Sequence, residues 1–326
     1  MLRRLLPDRF LLVLVGTVGL ASLLPASGRG LTAITWISNA AIVLLFFLHG
    51  ARLSPQAVLD GARRWRLQGA ILLFGYLALP LVGTLFAQIL AGWWQPGLVM
   101  GIVFLAVLPT TVQSSIAYAS IAGGNVAASV VAAAASNLIG VVLTPALFAL
   151  LAASAMGAVS LSGVGKVAML LLLPFATGQL LRRPVAPVIA RHKAAAGYAD
   201  KTTIVLAVYV AFSGAVTEGL WSRVSPGEIA AVAGIAALLL LLVLAMAGAW
   251  TLGGAMGLGR ADRASFLFAA SHKSLATGAP MARVLFPAAT AGFVILPLMI
   301  YHQLQLMLSA VVAARLAAAT PSTSVS

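Results

Sequence analysis

LPTTVQSSIAYASIAGGN, residues 108–125, sets a proline, a glutamine and a row of hydroxyls inside a long apolar run. In hydrocarbon every backbone N–H and C=O must find a partner within the protein. A proline beside a polar run therefore implies backbone that faces protein or a watery cavity instead of lipid. The stretch reads as a broken helix that lines a site. Gly123 and Gly124 read as the tight turn that follows it, and Asn125 as the cap of the next helix.

The surrounding composition sets the class. Hydrophobic residues make up 62% of the chain and charged residues 8%, against roughly 45–50% and about 25% in soluble domains. This is an all-α polytopic membrane protein. With roughly 20 apolar residues per crossing, ten spans fall near 9–25, 32–50, 68–91, 97–121, 125–152, 164–182, 201–220, 228–257, 263–284 and 287–316. The start, MLRRLLPDRF, and the small residues Ala26, Ser27 and Gly28 imitate a signal peptide, but the later spans need the first one retained, so it reads as uncleaved. Segment 53–67, LSPQAVLDGARRWRL, is too polar to cross. It reads either as a short surface helix drawn to anionic lipid or as a solvated loop. The chain ends in a short polar tail, 317–326.

The net charge of +14 comes from short basic clusters between apolar runs. A nucleic-acid footprint would be continuous, so no nucleic-acid partner is expected. With the N-terminus inside, fifteen of the 20 Lys and Arg fall on inner segments, and four, Arg29, Lys166, Arg223 and Arg283, on outer ones. That bias predicts both termini in the cytoplasm of a plasma (inner) membrane protein. The last basic residue, Lys273, falls inside a span.

Enzyme classes find no support. There is no cysteine, which excludes disulfides, thiol catalysis and cysteine metal sites. His49, His192, His272 and His302 lie on different elements without metal spacing. Ser271 and His272 are adjacent and diverge on a helix, so they form no nucleophile–base pair. No glycine-rich phosphate loop is present. No cofactor or metal is expected, with coupling to Na+ or H+ left open.

Splitting the chain into 1–152 and 164–316 gives halves of five spans. Five is odd, so the halves are inverted relative to each other, the usual architecture of secondary transporters. The fourth span of the second half, RASFLFAASHKSLATGAPMARV (263–284), carries Ser271, His272, Lys273, Ser274, Thr277, Gly278 and Pro280. FLAVLP from Phe104 and FLFAAS from Phe266 lead into the two breaks, which Pro109, Gly278 and Pro280 mark. Interrupted helices at matching positions are the best sequence pointer to a binding site. The candidates for ion or substrate binding are Thr110, Thr111, Gln113, Tyr118, Ser271, His272, Lys273 and Ser274, with Asn137 standing out from the small residues Ala128, Ala132 and Ser136 of the fifth span. His302 and Gln303, with Gln305, read as a shell for Lys273, and Tyr301 as an interfacial ring. Asn39, Gln88 and Gln179 read as hydrogen bonds between helices, Glu218 as solvated, and His49 as interfacial.

LLFFLHGARLSP (44–55), LPTTVQSSIAYASIAGGNVAAS (108–129), LLLPFATGQL (171–180), SHKSLATGAPMARVLFP (271–287) and VILPLMIYHQLQLM (294–307) are similar to the SBF-like branch of the bile acid:sodium symporter superfamily. The resemblance implies ten helices, with spans 1, 2, 6 and 7 as a panel, spans 3–5 and 8–10 as a core, and broken fourth and ninth helices crossing near the midplane. It also implies cation ligands at Ser114, Ser115 and Ser129. The carboxylate that the resemblance would place on the ninth helix has no counterpart, because 266–281 contain no Asp or Glu. Three readings of Lys273 stand. It replaces the sodium ion, bonded to break carbonyls and to Ser114 and Ser115. It is the counter-charge of an anionic substrate. Or it is a proton carrier beside His272. Snorkelling to an interface is the bland alternative.

These features predict a secondary transporter of a small organic anion by alternating access, in contact with the lipid bilayer and of open oligomeric state. Within transport, the alternative is a sodium symporter with an altered site. Outside it, the alternative is a non-transporting membrane regulator or scaffold.

Overall fold

A computed structural model describes residues 9–52, 56, 64–156, 168–252 and 257–319. The surface segment expected over 53–67 lies mostly outside these residues, as do Lys166 and most of the polar tail. The described chain is helical. Its elements are α1 (Arg9–Leu23), α2 (Gly28–Arg52), α3 (Trp65–Leu90), α4 (Pro96–Val107), α5 (Val112–Ile121), α6 (Val126–Met156), α7 (Met169–Leu180), α8 (Arg182–Arg191), α9 (Lys193–Thr217), α10 (Leu220–Arg223), α11 (Pro226–Leu252), α12 (Arg260–Ser271), α13 (Leu275–Leu285) and α14 (Ala288–Ala318).

Among the described residues six helices, α2, α3, α6, α9, α11 and α14, are long and apolar enough to cross a membrane. The pair α4 and α5, bent by 57° at its break, makes a seventh crossing if taken as one span. α1 and α7 are shorter apolar helices. α12 and α13 lie end to end across residues 272–274, which are extended.

The helices pack in two groups. α9 lies against α1 and α2, and α2 against α7, while α4 packs on α3, α6 and α14, and α12 on α5, α6 and α11. α9 joins the groups by packing on α13 and α14. In lipid, helix association depends on close van der Waals approach, which small residues permit. α2 and α7 show this: a Cβ on Gly50 would collide with the Phe175 carbonyl, and one on Gly178 with the Phe47 carbonyl.

Prolines shape the rest. α3 passes through a π-helical turn at Phe74–Ala78, and another at Ala168–Leu172 leads into α7. Each turn ends two residues before a proline, Pro80 and Pro174. A proline supplies no N–H to the preceding turn, so the helix can widen there and leave a carbonyl without its local donor.

Candidate functional site

The first break begins where Pro109 ends α4. Leu108 N falls back on Leu105 O at 3.3 Å, and Thr110 N, which would have bonded Ala106 O in a continuing helix, donates to Ser136 Oγ of α6 at 3.1 Å. Thr111 then starts α5. The second break runs from His272 to Ser274. Ser274 caps α13 by accepting from Thr277 N at 3.1 Å, a strong local reason for a helix to restart there. Gly278 and Pro280 lie inside α13 rather than at the break itself, which corrects their expected place.

The two breaks are bonded to each other. Ser274 N donates to Pro109 O at 2.9 Å, and Thr111 Oγ1 donates to Lys273 O at 2.8 Å. Asn137 ties them to α6: its Nδ2 donates to Thr110 O at 2.9 Å, and its Oδ1 accepts from Thr277 Oγ1 at 2.8 Å. Gln305 of α14, wholly buried, grips the Lys273 peptide on both sides. It accepts from Lys273 N at 2.8 Å and donates to Lys273 O at 3.0 Å. Its Nε2 also lies 2.9 Å from His302 Nδ1.

Lys273 is 2% exposed. Its Nζ donates to Gly75 O at 3.1 Å, Ala106 O at 2.8 Å and Leu108 O at 2.7 Å. The hydroxyls expected beside it are elsewhere. Ser115 Oγ donates to Thr111 O of its own helix, and Ser114 Oγ is 2.8 Å from His272 Nδ1. His272, also fully buried, has Ser309 Oγ 2.8 Å from Nε2 and the Tyr118 ring edge-on, centroids 5.7 Å apart.

A cavity of about 1010 Å³ opens beside the crossing. Its polar floor is the first turn of each restarted helix, residues 111–114 of α5 and 274–277 of α13, together with Asn137, Tyr118 and His302. Apolar walls come from Phe46, Leu138, Val141, Phe175 and Ile204. Its rim carries the exposed Arg52, Lys193, Tyr198 and Lys201, with Asp200 held 2.7 Å from Arg52. Helix N-termini carry partial positive charge and unpaired N–H groups. The cavity thus has two helix N-termini and the cations of its rim around one paired carboxylate.

Of the residues singled out from sequence, Thr111, Gln113, Ser114, Tyr118, Asn137, Ser274 and His302 line the cavity. Thr110, Ser115, Ser271, His272 and Lys273 pack behind it. Ser129 donates to Asn125 O one turn back in α6, away from the breaks. Asn125 caps α6 through Ala128 N at 3.0 Å and also donates to Asp262 Oδ1 at 2.9 Å. Among the described residues Gln303 makes no hydrogen bond to Lys273, and its Oε1 is buried without a partner, so the support comes from Gln305 and His302. Tyr301 is no interfacial ring: it is fully buried and donates to Ser271 O at 2.9 Å. Gln88 is exposed rather than between helices. Sequence reading missed Ser309 and the Gly75 carbonyl. The second had a signal in Pro80, five residues beyond it.

A sequence profile of the SBF-like CPA transporter family matches residues 8–318. An uncharacterized protein of Pseudomonas aeruginosa is 44% identical over 315 residues, covering 96% of this chain and 94% of that one. YfeH of Escherichia coli K12, a protein named as a candidate symporter, is 41% identical over 313 residues, 94% of this chain and 92% of its own. The sodium/bile acid cotransporter 7 of Rattus norvegicus is 25% identical over 319 residues, 95% of this chain and 93% of its own.

Proposed function

This chain belongs to the SBF-like CPA transporter family, a multi-pass membrane protein of the bile acid:sodium symporter type, and we propose that it is a secondary active transporter of a small organic anion in the plasma (inner) membrane. The observation that carries the reading is the cavity floor, where the N-terminal turns of α5 and α13 face one space under a cationic rim. A carboxylate or sulfonate meets two positive helix ends there without any charged side chain at the floor. The apolar walls suit an organic body, and Gln113 and Ser114 offer it hydrogen bonds.

In this reading the chain is a single membrane domain of ten crossings, with α12 and α13 as the halves of the ninth, arranged as inverted repeats over 1–152 and 164–316. α1, α2, α7 and α9 form the panel, and the remaining long helices the core. In the same reading both termini are cytoplasmic, the open mouth with its basic rim faces the cytoplasm, and alternating access follows from movement of core against panel. Lys273 is not the substrate's counter-charge, because its ammonium points away from the cavity.

Proteoliposomes loaded with reconstituted protein test the function, with labelled taurocholate and a short alkyl sulfonate as probes. Uptake driven by an inward sodium or proton gradient, and weakened by Gln113→Ala, is the expected result. Absence of flux for every probe under either gradient, with partner proteins co-purifying, would instead support a regulator or scaffold. Reporter fusions check the termini: an external C-terminus overturns the ten-crossing arrangement.

A further inference from the structure

We propose that the main-chain oxygens of Gly75, Ala106 and Leu108 form a monovalent-cation site that the chain fills with its own Lys273 ammonium, so that no free sodium ion occupies this part of the crossing during transport. This deepens the transporter reading by naming what sits at one coupling position. It rests on that reading only for its consequence, since the site itself is a matter of geometry.

Each oxygen in the site has lost its local donor for an identifiable reason. Leu79 N reaches back five residues to Phe74 O. In the same register Gly75 O would take its proton from residue 80, which is Pro80 and has none. Ala106 O would be served by Thr110 N, which is turned away to Ser136 Oγ. Leu108 O stands at the break itself. The last two also belong to the C-terminal end of α4, where partial negative charge collects. Three buried carbonyls left this way are unfavourable unless something donates to all of them.

The occupant matches the vacancy. An ammonium has three N–H groups, and Lys273 Nζ has three oxygens between 2.7 and 3.1 Å. A neutral amine has only two and would leave one oxygen orphaned. Replacement of hydration by carbonyl dipoles is how proteins hold bare monovalent cations inside membranes. Here the cation is covalently attached. Its main chain is clamped by Gln305 and Thr111, so it cannot leave without breaking the contact between the breaks. Among the described residues no carboxylate contacts it: Asp200 pairs with Arg52, and Asp262 with Arg64 and Asn125. The site therefore has ordinary carbonyl-cage chemistry rather than that of an ion pair.

The test needs no transported solute. Purified protein is melted in sodium chloride and in choline chloride at equal ionic strength. Wild type sets the reference difference between the two salts, to which any sodium site elsewhere in the chain contributes. Lys273→Ala empties the cage; its melting temperature in choline should fall by about 5–10 °C, as expected for loss of a few kcal/mol, and should rise in sodium or methylammonium chloride by more than the wild-type difference. Lys273→Arg keeps a charge in place and is expected to remain folded and to show only the wild-type difference, which keeps the idea testable if the alanine variant is not recovered. An alanine variant as stable as wild type, one that gains no more from sodium or methylammonium than wild type does, or a sodium response in the arginine variant larger than that of wild type would each overturn the proposal. Loss of flux in the proteoliposome assay without any of these results would count against the transport reading alone.

Discussion

The crossing of the two broken helices has two faces, and they are opposites. On the cavity side the half-helices present N-terminal turns, the positive ends of α5 and of the Ser274-capped α13, to an open space. On the packed side α4 presents carbonyls, acceptors without donors, and Lys273 fills them. One break divides a helix into a positive and a negative end. The fold sends the positive ends of α5 and α13 to the cavity and closes the negative end of α4 with a cation of its own. Substitutions on the two faces should therefore fail differently, the packed face losing stability and the cavity face losing affinity.

The largest effect belongs to Lys273→Met, which fills the volume but removes the three N–H groups. With three buried oxygens unserved, destabilisation of about 3 kcal/mol or more is expected in denaturant or thermal titrations of the purified protein. Asn137→Ala comes next, because it removes the side chain that bonds both breaks from α6; about 2 kcal/mol is expected, and a stability within error of wild type would show that the breaks hold together without it. Gly278→Ala puts a methyl 2.6 Å from side-chain carbons of Leu108 and Leu298. Both can shift, so about 1–2 kcal/mol of overpacking is expected, with the fluorescence of a bound anionic probe reporting whether the cavity floor moves. Thr111→Val, which removes one bond between the breaks, should lower stability by about 1 kcal/mol. Gln113→Ala sharpens the contrast: exposed on the cavity side, it should change stability by no more than about 0.5 kcal/mol while raising the KM for uptake. If it destabilised as much as Asn137→Ala, the division between the faces would fail.

Much of this was visible in the letters. Pro109 between apolar runs and the hydroxyls after it announced the first break, and the matching position of His272–Ser274 announced the second. Apolar runs of membrane length found the six helices that, among the described residues, are long enough to cross. The direction of Lys273 was not visible, because beyond a break the helical period no longer assigns a face, and a four-carbon stem reaches in any direction. Its partners were hidden for a plainer reason. Gly75, Ala106 and Leu108 act through main-chain oxygens, and every residue has one. Gln305 and Gln303 stand two apart on α14, on different faces, and only packing decides that the first meets Lys273. Tyr301 and Ser309 likewise depend on which side of α14 meets α12.

Pro80 takes on a further meaning from its place in α3. Were residue 80 any other amino acid, its N–H would stand permanently beside Gly75 O, at an effective concentration no distant side chain could match. The local N–H would then satisfy that oxygen and leave only its second lone pair for a remote donor. The proline withdraws that competitor and leaves the oxygen to a lysine 198 residues further along the chain. A bond between the two halves of the protein is thus secured by deleting a hydrogen from one of them.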